Sequence, residues 1–193
     1  MLRVGGRVLL CSLTDLPRDL PVGIPSPCAD DGETAFVIVY TSGTSPGDTN
    51  QPQQPIEAEA RSDDAESEIT PLVLCVQLPT GRRGRHMFVH YVLPRAVSFA
   101  RSHLSLGRKL CVAGGDEGIG VALVLLQLFF DDAGRLRIRS GTPTKDDSAI
   151  RKSSVRTRLE WIIASRPQVN PARAVLKRVN DYLLSPRLRS QEG

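Results

Sequence analysis

The segment KLCVAGGDEGIGVALVLLQLFF, from Lys109 to Phe130, is the most informative part of the sequence. It predicts a short strand, a glycine-bearing turn that follows Cys111, and an apolar helix. This arrangement aims the backbone N–H groups of the turn and of the helix N-terminus into one small space, where they can bind a phosphate. Gly114, Gly115 and Gly120 suit the backbone of such a turn and are candidate phosphate-binding residues.

A cysteine before such a loop is also the plan of the cysteine-dependent phosphatases. Their loop ends with an arginine at the position that Glu117 occupies here, so a carboxylate replaces the group that would clamp the phosphate. Without that arginine, a thiolate at Cys111 lacks one stabilising charge. The loop therefore predicts phosphate recognition, with Cys111 as a tentative nucleophile. A cysteine phosphatase relative that lacks the loop arginine is one alternative.

Asp116 is the second tentative catalytic residue. Its carboxylate can act as a general base on a hydroxyl group or can hold Mg²⁺. An acidic residue at this place also caps the helix that follows and is stabilised by the helix dipole. Both interpretations stay open, and we assign no metal ligands. Asp131 and Asp132 precede Ala-Gly, which indicates a plain turn.

The composition is that of a soluble protein with one substantial core, since 40% of the 193 residues are hydrophobic and 24% are charged. The longest apolar run, residues 121–130, is about half of the roughly 20 residues that a membrane-spanning helix needs, so we expect no membrane contact. The four cysteines have neither metal-ligand spacing nor the density of a secreted disulfide scaffold, which favours a reducing compartment.

Composition divides the chain into four segments. Residues 1–41 hold two predicted strands, GRVLLCSL and AFVIVY, interpreted as the remnant of a larger upstream domain or as edge strands of the later one. Residues 42–68 contain few large apolar residues and are predicted to be a disordered acidic linker. Residues 69–186 form the main domain, and residues 187–193 form a tail.

The main domain alternates predicted strands and helices, which indicates an α/β fold with a mostly parallel sheet flanked by helices. The strand LVLCVQL precedes a basic loop, GRRGR, and a helix over residues 93–106. After the turn at DDAG, the segment RLRIR predicts a short strand. Two helices end the domain, one over residues 155–164 and one capped by Asn170 with Pro171 at its first position.

Charge is distributed unevenly between the two halves of the chain. Residues 69–193 carry 21 Lys and Arg against 9 Asp and Glu, a net charge of +12, whereas residues 1–68 carry a net charge of −8. This asymmetry predicts a polyanionic partner, and duplex RNA is read mainly through its phosphates and 2′-hydroxyls. The candidate RNA-binding residues are Arg82, Arg83, Arg85 and Arg158.

Residues 70–186 resemble the C-terminal, dual-specificity-phosphatase-like domain of the initiator tRNA phosphoribosyl transferases. Three motifs in the same order carry the resemblance. They are the cysteine loop (Cys111, Gly114, Asp116, Gly120), a helix motif (Lys152, Val155, Arg156, Leu159, Ile162) and a final segment (Asn170, Pro171, Arg173, Leu176, Val179, Asn180).

The resemblance implies a phosphatase-like fold and a transfer reaction. The donor substrate would be phosphoribosyl pyrophosphate, Mg²⁺ would be required, and a 2′-O-ribosyl phosphate would pass to a T-stem adenosine of initiator tRNA in the cytoplasm. The phosphate and substrate would contact the three loop glycines together with Lys152, Arg156, Asn170 and Arg173. No obligate protein partner is implied. The remaining alternative is a non-catalytic module that binds tRNA and phosphate.

Overall fold

Five strands form one sheet in the order β1-β2-β5-β3-β4 in the computed structural model. The strands are β1 (Leu2–Val4), β2 (Val8–Cys11), β3 (Thr34–Thr41), β4 (Val73–Leu78) and β5 (Lys109–Gly114). The β1–β2 pairing is antiparallel, and the other three pairings are parallel. The structure describes residues 2–4, 7–16, 34–41, 71–137 and 150–185, so the predicted linker 42–68 and tail 187–193 lie outside it.

Helices flank this sheet, which confirms the predicted α/β class. They are α1 (Gly81–Met87), α2 (Leu93–Ser105), α3 (Asp116–Phe129), α4 (Lys152–Ser165) and α5 (Arg173–Leu184). One sheet face packs with helices α2 to α5 into the main core. The other face forms a smaller apolar cluster that includes Cys11 and Cys111.

The two strands predicted within residues 1–41, which correspond to β2 and β3, are integral to this sheet. β2 pairs with β5, and β3 lies between β5 and β4. The structure therefore departs from the predicted boundary at residue 41, because neither strand forms a separate unit or a sheet edge. The run Ala35–Val39 is buried throughout, and a continuous apolar run is typical of a parallel strand that is covered on both faces.

One continuous helical run, residues 81–105, replaces the predicted loop GRRGR and the predicted helix start at Leu93. A π-helical turn, Phe88–Val92, joins α1 to α2, and the N–H of Leu93 donates to the carbonyl of Phe88. Pro94 follows directly and has no N–H to donate, so the wider turn keeps the chain helical where a regular α-helical bond cannot form. The predicted strand RLRIR contributes only an isolated bridge between Phe130 and Leu136 among the described residues.

Helix α3 occupies the centre of the main core. The side chains from Val121 to Leu126 are completely buried, as expected for a helix that is apolar on every side. Gly120 permits this packing, since a β-carbon there would lie 2.8 Å from Val175 Cγ1 of α5 and 2.9 Å from Phe88 Cζ. Gly120 is therefore a helix-packing residue, which corrects its prediction as a phosphate-binding residue.

The close packing at Gly120 predicts that alanine at this position lowers the stability of the protein instead of raising it. An exchange of glycine for alanine inside a helix ordinarily stabilises by up to about 1 kcal/mol. Gly120→Ala should instead lower the free energy of unfolding by about 1–3 kcal/mol, because the added methyl overpacks the α3–α5 contact. Urea denaturation measures the change.

The control is the double variant Gly120→Ala with Val175→Ala, which removes the nearest clashing methyl, Val175 Cγ1, and leaves the contact with Phe88. We expect the double variant to lose less stability than the two single losses added together. A loss in the double variant equal to the sum of the two single losses would contradict a direct contact between residues 120 and 175.

Candidate functional site

The turn between β5 and α3 is tighter than the sequence predicts. The strand extends to Gly114 and the helix begins at Asp116, so Gly115 alone separates them. Gly114 has a φ of +153°, and a β-carbon there would lie 2.6 Å from the carbonyl oxygen of Val39. Only glycine fits this close approach of the turn to β3. Gly115 has open space around it, which leaves the backbone of the turn accessible.

A pocket of about 340 Å³ lies against this turn. It is named the loop pocket and is lined by Cys11, Gly114, Gly115, Asp116, Arg166 and Asn170, among others. It sits at the carboxyl ends of the parallel strands β2 and β5, where open α/β sheets commonly bind ligands. The first N–H groups of α3 have no acceptor within the helix, and Arg166 adds a guanidinium whose Nη2 also lies 4.0 Å from Asp15 Oδ2. The loop pocket can therefore bind an anion.

Asp116 connects two helix starts at this pocket. Its Oδ2 accepts a hydrogen bond of 3.1 Å from the backbone N–H of Ala172, the residue that precedes α5. No side-chain hydrogen bond caps α3 itself. The predicted cap at Asn170 is wrong, since α5 begins at Arg173 and Asn170 lines the loop pocket instead. The Asp116 bond explains this later start, because it fixes the backbone at Ala172.

Cys111 lies within β5, below the turn, and only 1% of its surface is exposed. Its Sγ is 3.4 Å from Cys11 Sγ. The pKa of the Cys111 thiol is raised well above its ordinary range, first by this hydrogen bond and second by burial. A buried, protonated thiol is a poor nucleophile, so the structure contradicts the tentative catalytic assignment of Cys111.

Glu117 has a cationic partner on another helix. Its Oε1 lies 3.6 Å from Arg178 Nη2 of α5, and both side chains are largely buried. The position that holds the phosphate-clamping arginine in cysteine phosphatases thus serves a contact between α3 and α5. Together with the buried Cys111, this disfavours the phosphatase alternative.

A second concavity of about 810 Å³ runs along α5 and the start of α4. It is named the α5 groove and is lined by Lys152, Arg173, Leu176, Lys177, Asn180 and Asp181, among others. Asn180 Oδ1 is buried and has no hydrogen-bond partner in the described part of the chain. The structure therefore divides the predicted substrate-binding residues, since Lys152 and Arg173 line the groove while Asn170 lines the loop pocket, beside the predicted catalytic residue Asp116.

The remaining predicted cations differ in their surroundings. Arg82, Arg83 and Arg85 are exposed on α1. The Arg156 side chain is 81% exposed and pairs with Glu160 one helical turn later, at 3.1 Å. It lines neither concavity.

Arg158 corrects the predicted RNA surface. Only 1% of its side chain is exposed, and Nη2 donates to Asp132 Oδ1 at 2.7 Å and to the Phe130 carbonyl at 3.2 Å. Its guanidinium also lies 4.3 Å from the centre of the Trp161 ring. Arg158 thus fixes the turn after α3 and is unavailable to RNA. The predicted turn at Asp131 is present, since its Oδ1 accepts the N–H groups of Ala133 and Arg135.

The loop pocket also contains residues that the sequence analysis missed. Arg166 and Cys11 lie far in sequence from the turn, and no local pattern links them to it.

The α5 groove contains one further cation that the sequence analysis missed, Lys177. Lys177 follows Arg173 by one helical turn, a spacing that could have identified the cationic face of α5.

Neither a metal cluster nor a membrane span is found in the described ranges. No group of three or more His, Cys, Asp or Glu side chains there could hold a metal ion. No helix among those residues has the length and apolar content to cross a bilayer.

The two arginines of α4 give a matched prediction. Arg158→Glu places an unpaired carboxylate in a buried position beside Asp132, and we expect a loss of about 3–5 kcal/mol of unfolding free energy. Arg156→Glu changes an exposed charge and should shift stability by no more than about 0.5 kcal/mol. Thermal unfolding of both variants checks this, and equal losses would contradict the burial of Arg158.

Comparison with curated proteins and with solved structures gave no significant match. The family model of the Rit1 DUSP-like domain matches residues 72–183, which is more than half of the chain. The matched region contains the turn at Gly114, the α4 arginines and all of α5 except its last residue, the segments that carry the resemblance in the sequence. The chain belongs to this family, the phosphatase-like domain of Rit1-type initiator tRNA modification enzymes.

Proposed function

We propose that this domain transfers a 2′-O-ribosyl phosphate from phosphoribosyl pyrophosphate to a T-stem adenosine of initiator tRNA. In this reaction the adenosine 2′-hydroxyl attacks the anomeric carbon of the donor, and pyrophosphate leaves. The observation that carries the proposal is the meeting of the α3 N-terminus, Arg166 and Asp116 in one pocket. These are an anion site and a carboxylate within reach of one small phosphorylated ligand.

The loop pocket would hold phosphate groups of the donor. Its volume of about 340 Å³ falls at the lower end of the range for small-molecule sites. Backbone N–H groups at a helix start bind phosphate oxygens, and an arginine adds a charge-assisted bond to them. Asn170 offers a side-chain amide at the same wall.

Asp116 would act on the acceptor or on a metal ion. Its Oδ2 holds Ala172, and Oδ1 has no hydrogen-bond partner among the described residues. A single carboxylate suits Mg²⁺, which proteins commonly bind through one or two carboxylates and the oxygens of a substrate phosphate. Mg²⁺ would neutralise the charge that develops on pyrophosphate. As a base, the same carboxylate would accept the proton of the 2′-hydroxyl.

The exposed cations would bind the tRNA backbone. The α5 groove presents Lys152, Arg173 and Lys177, and α1 presents three further arginines. Duplex RNA is contacted through phosphates and 2′-hydroxyls, for which positive charge matters more than aromatic rings. A tRNA partner also fits a cytoplasmic protein, and the proposal requires no protein partner.

A non-catalytic tRNA-binding module is the second candidate. It is favoured by the structural use of Asp116, whose carboxylate is already engaged with Ala172. In that case the loop pocket would bind a phosphate of the tRNA itself, and no transfer would occur.

The anion site predicts the effect of one substitution. Arg166→Gln removes a charge-assisted hydrogen bond of about 1.5–3 kcal/mol, so the dissociation constant for pyrophosphate should rise at least about tenfold. Isothermal titration calorimetry measures it. Arg156→Gln, outside the pocket, is the control and should bind as the unchanged protein does. Equal affinities for all three proteins would exclude Arg166 from the site.

The RNA surface predicts a dependence on salt. Binding of initiator tRNA should weaken steeply as the salt concentration rises, because each neutralised phosphate releases counterions. Replacing Arg173 and Lys177 by glutamine should reduce the slope of log K against log salt by about two. Filter binding across a salt series gives the slope.

Arg135→Gln is the control for this experiment. Arg135 is exposed in the turn after α3, at the opposite end of that helix from the loop pocket. Its replacement should leave the slope unchanged. An unchanged slope in the Arg173 and Lys177 variant would remove the α5 groove from the RNA-binding surface.

A further inference from the structure

Two cysteines face each other across neighbouring strands beneath the loop pocket. Cys11 ends β2 and Cys111 lies in β5, and their Sγ atoms are 3.4 Å apart. In the register of these strands Leu9 stands opposite Cys111, so Cys11 lies two residues further along and on the same sheet face. Both thiols are buried in the smaller apolar cluster. The two sulfur atoms must approach by about 1.4 Å to reach the sulfur–sulfur bond length of about 2.05 Å.

The two thiols differ in access and in ionisation. Cys11 lines the loop pocket and keeps 7% of its surface exposed, whereas Cys111 lines no part of that pocket and is 1% exposed. The pKa of Cys11 is lowered, first by the hydrogen bond with Cys111 and also by the charge of Arg166, against the opposing effects of burial and Asp15. Its place at the loop pocket and its lowered pKa make Cys11 the attacking sulfur of the pair.

We propose that Cys11 and Cys111 are a redox pair that peroxide converts to an intramolecular disulfide. The Cys11 thiolate attacks one peroxide oxygen, the O–O bond breaks, and the departing hydroxide takes a proton to form water. The resulting Cys11 sulfenic acid is attacked by the sulfur of Cys111, which loses its proton as the S–O bond breaks and a second water forms. The two thiols supply the two electrons that reduce the peroxide. An external dithiol reverses the step by thiol–disulfide exchange.

This pair is a modification site that is separate from the transfer reaction. The disulfide would join β2 to β5 near the carboxyl ends of these two strands, beside the loop pocket. Its formation needs no substrate, so its test does not depend on the proposed function.

The test uses the full chain with Cys28→Ser and Cys75→Ser, which retains only the two thiols of the pair. After treatment with hydrogen peroxide and then denaturation, we expect both free thiols to be lost and the intact mass to fall by two hydrogen atoms. Peptide mapping should find residue 11 linked to residue 111, and dithiothreitol should restore both thiols. Persisting thiols, a covalent dimer on a non-reducing gel, or sulfinic acid without a disulfide would overturn the proposal.

Two further variants in the same background assign the roles. With Cys111→Ser, Cys11 should stop at the sulfenic acid and react with dimedone. With Cys11→Ser, Cys111 should remain a free thiol under the same treatment. Peptide mapping of the unchanged chain is the check that requires no substitution, and a disulfide from Cys11 to Cys28 or Cys75 there would contradict the pairing.

Discussion

The burial of α3 is the constraint on which the rest of the structure depends. A helix whose residues from Val121 to Leu126 are all inaccessible cannot shift or rotate without exposing apolar surface. Its N-terminus is therefore held at the carboxyl edge of the sheet. Gly120 lets α5 approach, and the bond from Asp116 to Ala172 fixes where α5 begins. The same packing that stabilises the domain thus forms the wall of the loop pocket.

The departure from a cysteine phosphatase follows from this arrangement. Because β5 continues to Gly114, Cys111 is enclosed in the sheet, and its thiol faces Cys11 across the strands. Glu117 forms an ion pair with Arg178 of α5. The loop position that holds the phosphate-clamping arginine in a phosphatase therefore connects α3 to α5 here. Positive charge enters the pocket from Arg166 instead, which follows α4. The chain keeps the glycine turn between β5 and α3 but lacks the arginine with which a cysteine phosphatase clamps a phosphate.

The sequence predicts the parts of this structure that depend on local patterns. An apolar run after a glycine turn indicates β5 and α3, and the alternation of elements indicates the α/β class. Prediction from the sequence fails where contacts between residues far apart in the chain determine the structure. In the sequence, Arg156 and Arg158 both look like charges on the exposed face of a helix. In the structure only Arg158 is buried, where it pairs with Asp132 and packs over the Trp161 ring. The pairing of β3 with β4 and β5 is likewise invisible in local composition, as is the place of Arg166 in the pocket.

Transfer of labelled ribosyl phosphate from phosphoribosyl pyrophosphate to initiator tRNA, in the presence of Mg²⁺, is the measurement that separates a transferase from a binding module. Asp116→Asn is the informative variant, because an asparagine oxygen can still accept the Ala172 N–H while the negative charge is lost. We expect transfer by the unchanged chain and a loss of about 10²–10⁴-fold in Asp116→Asn, with the same melting temperature. Equal transfer by both proteins would contradict the role of Asp116. No transfer by a folded chain that binds tRNA and pyrophosphate would contradict the transferase account and leave a binding module.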